Sequence, residues 1–326
     1  MLRGSFAAML AALLSCCLGL PSAMAQTWPE RAVKFVITLG PGAGADISAR
    51  LLGDRLSKMW GQPVVIENRP GGDAMVAIGS FIAANDDYTI LYGPAGSFVG
   101  HPYLHKKLNY HPRDLVPIAR VSNTLISITV PTALNLNTLK DVVAYIRKDP
   151  GKHNWAGVTG MLDLIFQSYF KTNGLVIHRV PYRDGVQALN DLAEGRIQFY
   201  TSAYAIARPQ VQNGKVKVVA LTNSARAPIL MDVPTVREAG YPAMEFDGLV
   251  GLFGRRGMPD AIIEKIAAGV RVALQDEVVK DRLNVTGQVL NYGDGKQFAA
   301  SIEEQRQVAA RAGAALGIKP TPYQDK

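Results

Sequence analysis

Apolar and polar positions along the chain alternate between two periods. Residues 33–39 form a near-continuous apolar run, the pattern of a strand covered on both faces. The run ends in Gly40-Pro41-Gly42-Ala43-Gly44-Ala45-Asp46, after which Ile47, Leu51, Leu52, Leu56 and Met59 recur at helical spacing. Residues 64–67 predict the next strand, 74–84 a helix of small residues and 88–92 a third strand. The theme then repeats. Strands are predicted over 116–121, 125–130, 154–158, 176–180, 197–200, 216–221 and 249–253. Thr138 and Asp141 form a capping-box-like start to a helix carrying Leu139, Val142, Val143 and Ile146. Another helix is predicted over 162–172, and Asp184 caps one with Val186, Leu189 and Leu192. Pro259-Asp260 opens a further helix, and a last one covers about residues 296–311. Two successive α/β units without a low-complexity linker imply two lobes joined by strand crossings, the first also reclaiming the C-terminal helices.

Composition narrows this picture. The chain has 326 residues, 48% hydrophobic and 19% charged, which is globular rather than disordered or multispanning. Its two cysteines, Cys16 and Cys17, fall in an N-terminal segment with Arg3, an apolar run over 6–20 and Ala23-Met24-Ala25, the pattern of a cleaved secretory signal over residues 1–25. The chain after residue 25 then contains no cysteine and is expected to be exported to the periplasm. Lys and Arg number 35 against 27 Asp and Glu, a formal +8 that falls to +7 without Arg3. No run of like charges gathers this excess into a nucleic-acid surface, so attraction of small anions is the better use of its sign.

Enzyme signatures are missing: the sequence has no G-x-S-x-G, H-E-x-x-H, Walker A or C-x-x-C motif. His101 and His105 are four residues apart, but Pro102 argues against a helix there. They are read as loop histidines, with no metal and no cofactor implied. What recurs is a glycine-rich turn between a strand and a helix. Such turns cover residues 40–46, 71–74 and 93–97 in the first unit and 157–160 and 201–204 in the second. Their exposed N–H groups and helix dipoles favour an anion at the strand ends.

Together with several short words, these turns carry a family resemblance. The words are Trp28-Pro29-x-Arg31, Pro41-Gly42-x-x-x-Asp46-x-x-Ala49-Arg50, Gly61-Gln62-Pro63-Val64-Val65 and Glu67-Asn68-Arg69-Pro70-Gly71. Tyr88-Thr89, Val180-Pro181-Tyr182, Asp232-Val233-Pro234-Thr235 and Glu238-Ala239-Gly240 complete the set. In order and spacing the chain resembles the periplasmic solute receptors of tripartite tricarboxylate transporters, the Bug family, from about residue 28 to 315. The resemblance implies an α/β, two-lobed fold of the type II periplasmic-binding-protein (Venus-flytrap) class. Residues 26–123 and 248–326 would form lobe 1 and residues 124–247 lobe 2, with hinges near 121–125 and 247–251. It also implies a monomeric receptor that captures a small organic acid and hands it to an integral membrane permease, or else to a signalling partner.

The resemblance places the first-lobe site at Pro41, Gly42, Ala43, Gly44, Ala45 and Asp46, at Gly72, Asp73, Ala74 and Met75, and at Gly93, Ala95 and Ser97. Asp46 suits a helix cap better than a ligand contact. The second lobe would contribute Gly157, Thr159, Gly160, Met161, Ser202 and Tyr204. Against the family pattern, Asp73, Ala74 and Met75 stand where a glycine-rich stretch and an Asn are usual, and Ser202 stands where receptors of amino acids often have Asp. Replacement of polar groups by Met, Leu and Tyr favours an aromatic or medium-chain aliphatic acid, because a buried unpaired polar group costs about 1–3 kcal/mol.

Overall fold

The computed structural model describes residues 28–157, 160–182 and 184–323. The expected leader and Thr159 lie outside them. The first unit runs β1 (Val33–Ile37), α1 (Gly44–Trp60), β2 (Val64–Asn68), α2 (Met75–Ala84), β3 (Thr89–Pro94), α3 (Ala95–Leu104) and β4 (Leu115–Thr124). The second runs β5 (Ile126–Pro131), α4 (Leu139–Lys148), β6 (Asn154–Gly157), α5 (Met161–Thr172), β7 (His178–Arg179), α6 (Gly185–Ala193), β8 (Phe199–Ala203), α7 (Tyr204–Gln212) and β9 (Val216–Leu221). The chain then returns through β10 (Gly248–Arg255), α8 (Asp260–Ala273), α9 (Glu277–Val285), β11 (Gln288–Asp294) and α10 (Gly295–Leu316).

Two sheets result. The first has the order β11-β4-β10-β3-β1-β2, with β1 parallel to β2 and β3 and the returning β10 antiparallel to β3 and β4. The second has the order β7-β6-β8-β5-β9, with β6 parallel to β7 and β8 and β5 antiparallel to β8 and β9. Phe35, Leu52, Tyr92, Leu252 and Ile266 fill one face of the first sheet. Its other core, with Phe98, Phe253 and Phe298, is continuous with Trp155, Phe166 and Phe199 of the second unit.

Local signals explain most of the elements. Thr138 Oγ1 accepts from the Asp141 N–H at 3.1 Å while Asp141 accepts from the Thr138 N–H at 2.9 Å, closing the predicted capping box. Asp184 accepts from the Val186 N–H at 2.9 Å, as a cap should. A second capping box, Asp294 with Gln297, starts α10, and left-handed Gly317 ends it, so this helix is longer than its apolar spacing suggested.

Four elements were not legible from periodicity: α3, α7, α9 and β11. Helices α3 and α7 contain Pro102 and Pro209. The expectation that Pro102 excludes a helix is corrected. α3 forms because Phe98, Val99, Gly100 and His101 are all buried, and that burial outweighs the one hydrogen bond the proline removes. β11 is a half-buried edge strand carrying Gln288, Asn291 and Tyr292, which blurs any two-residue alternation.

Passage between the sheets is brief and tightly tied. A single residue, Leu125, separates β4 from β5; its N–H donates to Gly287 O and its carbonyl accepts from the Tyr204 N–H, both at 2.8 Å. The returning strand begins beside it, with Gly248 in register with Thr124. Asn223 stitches the two passages. Its Oδ1 accepts from the Ile126 N–H at 2.9 Å, and its Nδ2 donates to Thr124 O at 3.0 Å and to Asp247 Oδ1 at 3.2 Å. Gln305 of α10 donates to Asp247 O at 2.6 Å. α10 packs on both α3 and α5, so the last helix touches both units.

Replacing Asn223 with Ala should strand the buried Ile126 N–H and lower stability by about 1–3 kcal/mol. Urea unfolding followed by circular dichroism measures this, and an unchanged midpoint would contradict the stitching role.

Candidate functional site

Three strands hand over to helices where the two sheets face each other. β3 passes into α3 without a linker, with Pro94 as the N-cap. β8 passes into α7 in the same way, with Ala203 as the N-cap. α5 starts from Gly160, whose φ of 94° and ψ of −144° favour glycine. These starts converge on one cavity of about 270 Å³. It is lined by Leu39, Asp73, Pro94, Gly96, Ser97, Thr124, Ile126, Met161, Leu162, Ala203, Phe246 and Gly248. The first N–H groups of a helix lack intrahelical acceptors and carry its positive dipole end, so the first turns of α3 and α5 present donors to an anion. At α7 the Tyr204 N–H is already committed to Leu125 O.

Close approach depends on two glycines of α3. A methyl group on Gly96 would lie 2.8 Å from the Phe246 ring, and one on Gly100 would lie 3.3 Å from the Met161 nitrogen. Their absence lets a helix of the first unit abut the start of α5 in the second.

The turn before α2 is strained. Gly71, Gly72, Asp73 and Ala74 have φ of 116°, 56°, 52° and 69°, and two of these four are not glycine. Among the described residues, Asp73 is the only charged side chain lining the cavity. Its Oδ2 lies 3.0 Å from His105 Nε2, and its carbonyl lies 2.7 Å from His101 Nε2. A carbonyl only accepts, so His101 carries its proton on Nε2, and Nδ1 accepts from the Tyr110 hydroxyl at 2.7 Å. Burial holds His101 below its ordinary pKa, which favours the neutral ring.

The first glycine turn is closed by Asp46, which is buried. Its carboxylate accepts from the Gly42 N–H at 2.9 Å, Arg50 Nε and Nη2 at 3.1 and 2.9 Å, and Asn68 Nδ2 at 2.8 Å. Burial alone would raise the Asp46 carboxyl, but these partners hold it below the ordinary aspartate range. Asn68 also donates to Leu39 O at 3.0 Å, so this network positions one residue of the cavity wall.

Of the residues expected at the site, the structure brings Asp73, Ser97 and Met161 to the cavity. Pro41 and Gly42 are exposed, Ala43 and Gly44 are half-buried beside it, and Ala45 and Asp46 are buried under the turn. Gly72, Ala74 and Met75 flank Asp73 without lining the cavity, and Ala74 lies in the core. Gly93, Ala95 and Gly157 act as supports: a methyl on Gly93 would meet Thr38 Oγ1, and one on Gly157 would meet Thr201 Oγ1. Gly160 shapes the start of α5. Ser202 is buried in β8, and Tyr204 packs with Leu125, Leu221 and Ala227, so neither reaches the cavity. Pro94, Gly96 and Leu162 lay within recognised turns or helices without being singled out. Thr124, Ile126 and Gly248 belong to the sheet passages, and only topology exposes Phe246. A larger cavity of about 410 Å³, with Phe98, Tyr110, Phe253 and Arg306 in its wall, shares none of these residues.

Comparison with known proteins adds an independent line. A family profile described as "Tripartite tricarboxylate transporter family receptor" matches residues 48–317. A UPF0065 protein of Bordetella bronchiseptica is 27% identical over 305 residues, covering 93% of this chain and 91% of its own. BugT of Bordetella pertussis is 25% identical over 268 residues, covering 81% and 82%. Among solved structures, a Rhodopseudomonas palustris protein with adipate has a TM-score of 0.78 at 26% identity, covering 90% of this chain and 99% of that one. A malate-bound protein of the same organism has a TM-score of 0.73 at 26% identity, covering 87% and 100%. The periplasmic binding protein BugD has a TM-score of 0.75 at 26% identity, covering 90% and 99%.

Two outcomes follow from this geometry. Asp46→Asn should cost about 1–3 kcal/mol at neutral pH, since it breaks charge-assisted bonds to a buried carboxylate. The Asp46 pKa is lowered on folding, so its contribution is complete above the ordinary aspartate range and is lost as pH falls through the folded-state value. Thermal melts of both proteins against pH should therefore converge in acid, and parallel curves would refute the role given to Asp46. Gly96→Val should displace Phe246 into the cavity and abolish ligand binding measured by calorimetry while the protein remains folded; wild-type affinity would show that this wall is not the site.

Proposed function

The chain belongs to the tripartite tricarboxylate transporter receptor family, and from that premise we propose that it captures a small carboxylate with an apolar body and delivers it to a membrane permease. Receptors of this family bind a solute without transforming it. Export is part of the proposal and rests on the leader pattern over residues 1–25.

One observation carries the reading: the first turns of α3 and α5, one from each unit, face the same small cavity. Among the described residues no Lys or Arg lines it, so the acid's charge would be met by backbone N–H groups of Gly96 and Ser97 on one side and Met161 and Leu162 on the other. Leu39, Ile126, Leu162 and Phe246 suit an apolar body. The volume sits just below the roughly 300–1,000 Å³ range of ordinary ligand pockets, as a small acid requires. The similar structures with adipate and malate support the carboxylate class.

The proposed lobes are residues 26–123 with 248–326, and 124–247, turning about the passages at Leu125 and Gly248. A ligand held by both helix starts interacts more strongly when they are close, and this differential affinity shifts the open–closed equilibrium. The permease would then read the closed form.

Calorimetry of the purified protein with benzoate-type acids, adipate, citrate and glutamate tests the assignment. An aromatic or medium-chain acid should bind at least about tenfold, or about 1.4 kcal/mol, more tightly than glutamate or citrate. Tight glutamate or citrate binding with no response to the others would overturn it.

A further inference from the structure

We propose that Asp73, His101 and His105 form a divalent-cation site, suited to Zn²⁺, in the wall of the cleft. The proposal does not depend on the identity of the acid.

The donor atoms of these three residues lie within 4.8 Å of one another. Asp73 Oδ2 is 3.0 Å from His105 Nε2 and 3.6 Å from His101 Nε2. A tetrahedral ion with bonds of about 2.0–2.2 Å separates neighbouring donors by about 3.3–3.6 Å, and the two distances bracket that range. Two imidazoles and one carboxylate form a common Zn²⁺ donor set, and they leave a fourth position for water or a carboxylate. Asp73 borders the cavity, so that position adjoins the space where an acid would sit.

The surroundings fit the same ion. His101 lies in the last turn of α3 and His105 is its C-cap, where the helix dipole favours positive charge. The strained left-handed conformation of Asp73 holds its carboxylate opposite this pair.

On binding metal His101 gives up its Nε2–H bond to Asp73 O, and by changing tautomer it keeps Tyr110 on Nδ1. Without metal, Nε2–H donates to Asp73 O and Nδ1 accepts from Tyr110. With metal, Nε2 must offer its lone pair and Nδ1 must carry the proton, so Tyr110 becomes the acceptor. Its own proton then has an acceptor in Phe98 O at 3.5 Å. That carbonyl is available because Pro102, four residues on, has no N–H to donate to it. The proline that obscured the helix thereby serves the histidine.

The test uses the chelator-stripped protein without any acid. Zn²⁺ is titrated in competition with a chromogenic chelator, and Co²⁺ is added separately to record its visible spectrum. One equivalent of Zn²⁺ and the intense visible bands of tetrahedral Co²⁺ are expected. His105→Ala and Asp73→Asn should each weaken Zn²⁺ by more than about 100-fold, because losing a ligand costs more than losing a partner that only orients one. His105 is partly exposed, so its variant should fold even if substitution of buried His101 does not. His178→Ala, exposed on β7, should leave binding unchanged. Absence of stoichiometric binding by the wild type, or equal affinity in the His105 and Asp73 variants, would overturn the site.

Discussion

The first backbone N–H groups of α3 and α5, which have no acceptor within their own helices, are the constraint around which this structure is arranged. A helix start buried without partners is costly, and a cleft between two sheets is a place where a ligand can supply the missing acceptors. The local sequence serves that end. β3 enters α3 with only Pro94 as a cap, Gly160 takes a conformation suited to glycine ahead of α5, and Gly96 and Gly100 let the two helices meet. A basic side chain is not needed where donors are oriented by the fold, and among the described residues the cavity lining contains none.

The same arrangement makes the economy of the passages important. One residue separates β4 from β5, and its backbone is bonded to Gly287 on one side and Tyr204 on the other. Asn223 and Asp247 tie the outgoing and returning strands, while Gln305 links the return to α10. The two halves of the site are therefore joined by short, well-bonded passages instead of a slack linker. α10 packs on both units.

The strands and the strand–turn–helix order were legible because buried strands and amphipathic helices leave opposite periodicities, and because Thr138, Asp141 and Asp184 announce their helices by chemistry. α3 was not, since Pro102 and two glycines mask its pattern while burial of Phe98 and Val99 supplies the stability. The turns that would face a ligand were recognisable as a class, but the one lined most directly was not distinguishable. Gly42 and Gly96 look alike in sequence, yet only Gly96 lines the cavity. Phe246 carries no local signal, because its place depends on the return from β9 to β10. The pairing of Asp73 with His101 and His105 is likewise a tertiary fact, joining a turn and a helix about thirty residues apart.

The central claim is that a carboxylate is held between the first turns of α3 and α5. A crystal structure of the protein with a bound benzoate-type acid or adipate tests it most directly. The account predicts carboxylate oxygens within hydrogen-bonding distance of the Gly96 and Ser97 N–H groups, with the ligand body against Ile126, Leu162 and Phe246. Electron density for the acid in the cavity walled by Phe98, Tyr110 and Arg306, with the α3 start unoccupied, would contradict it.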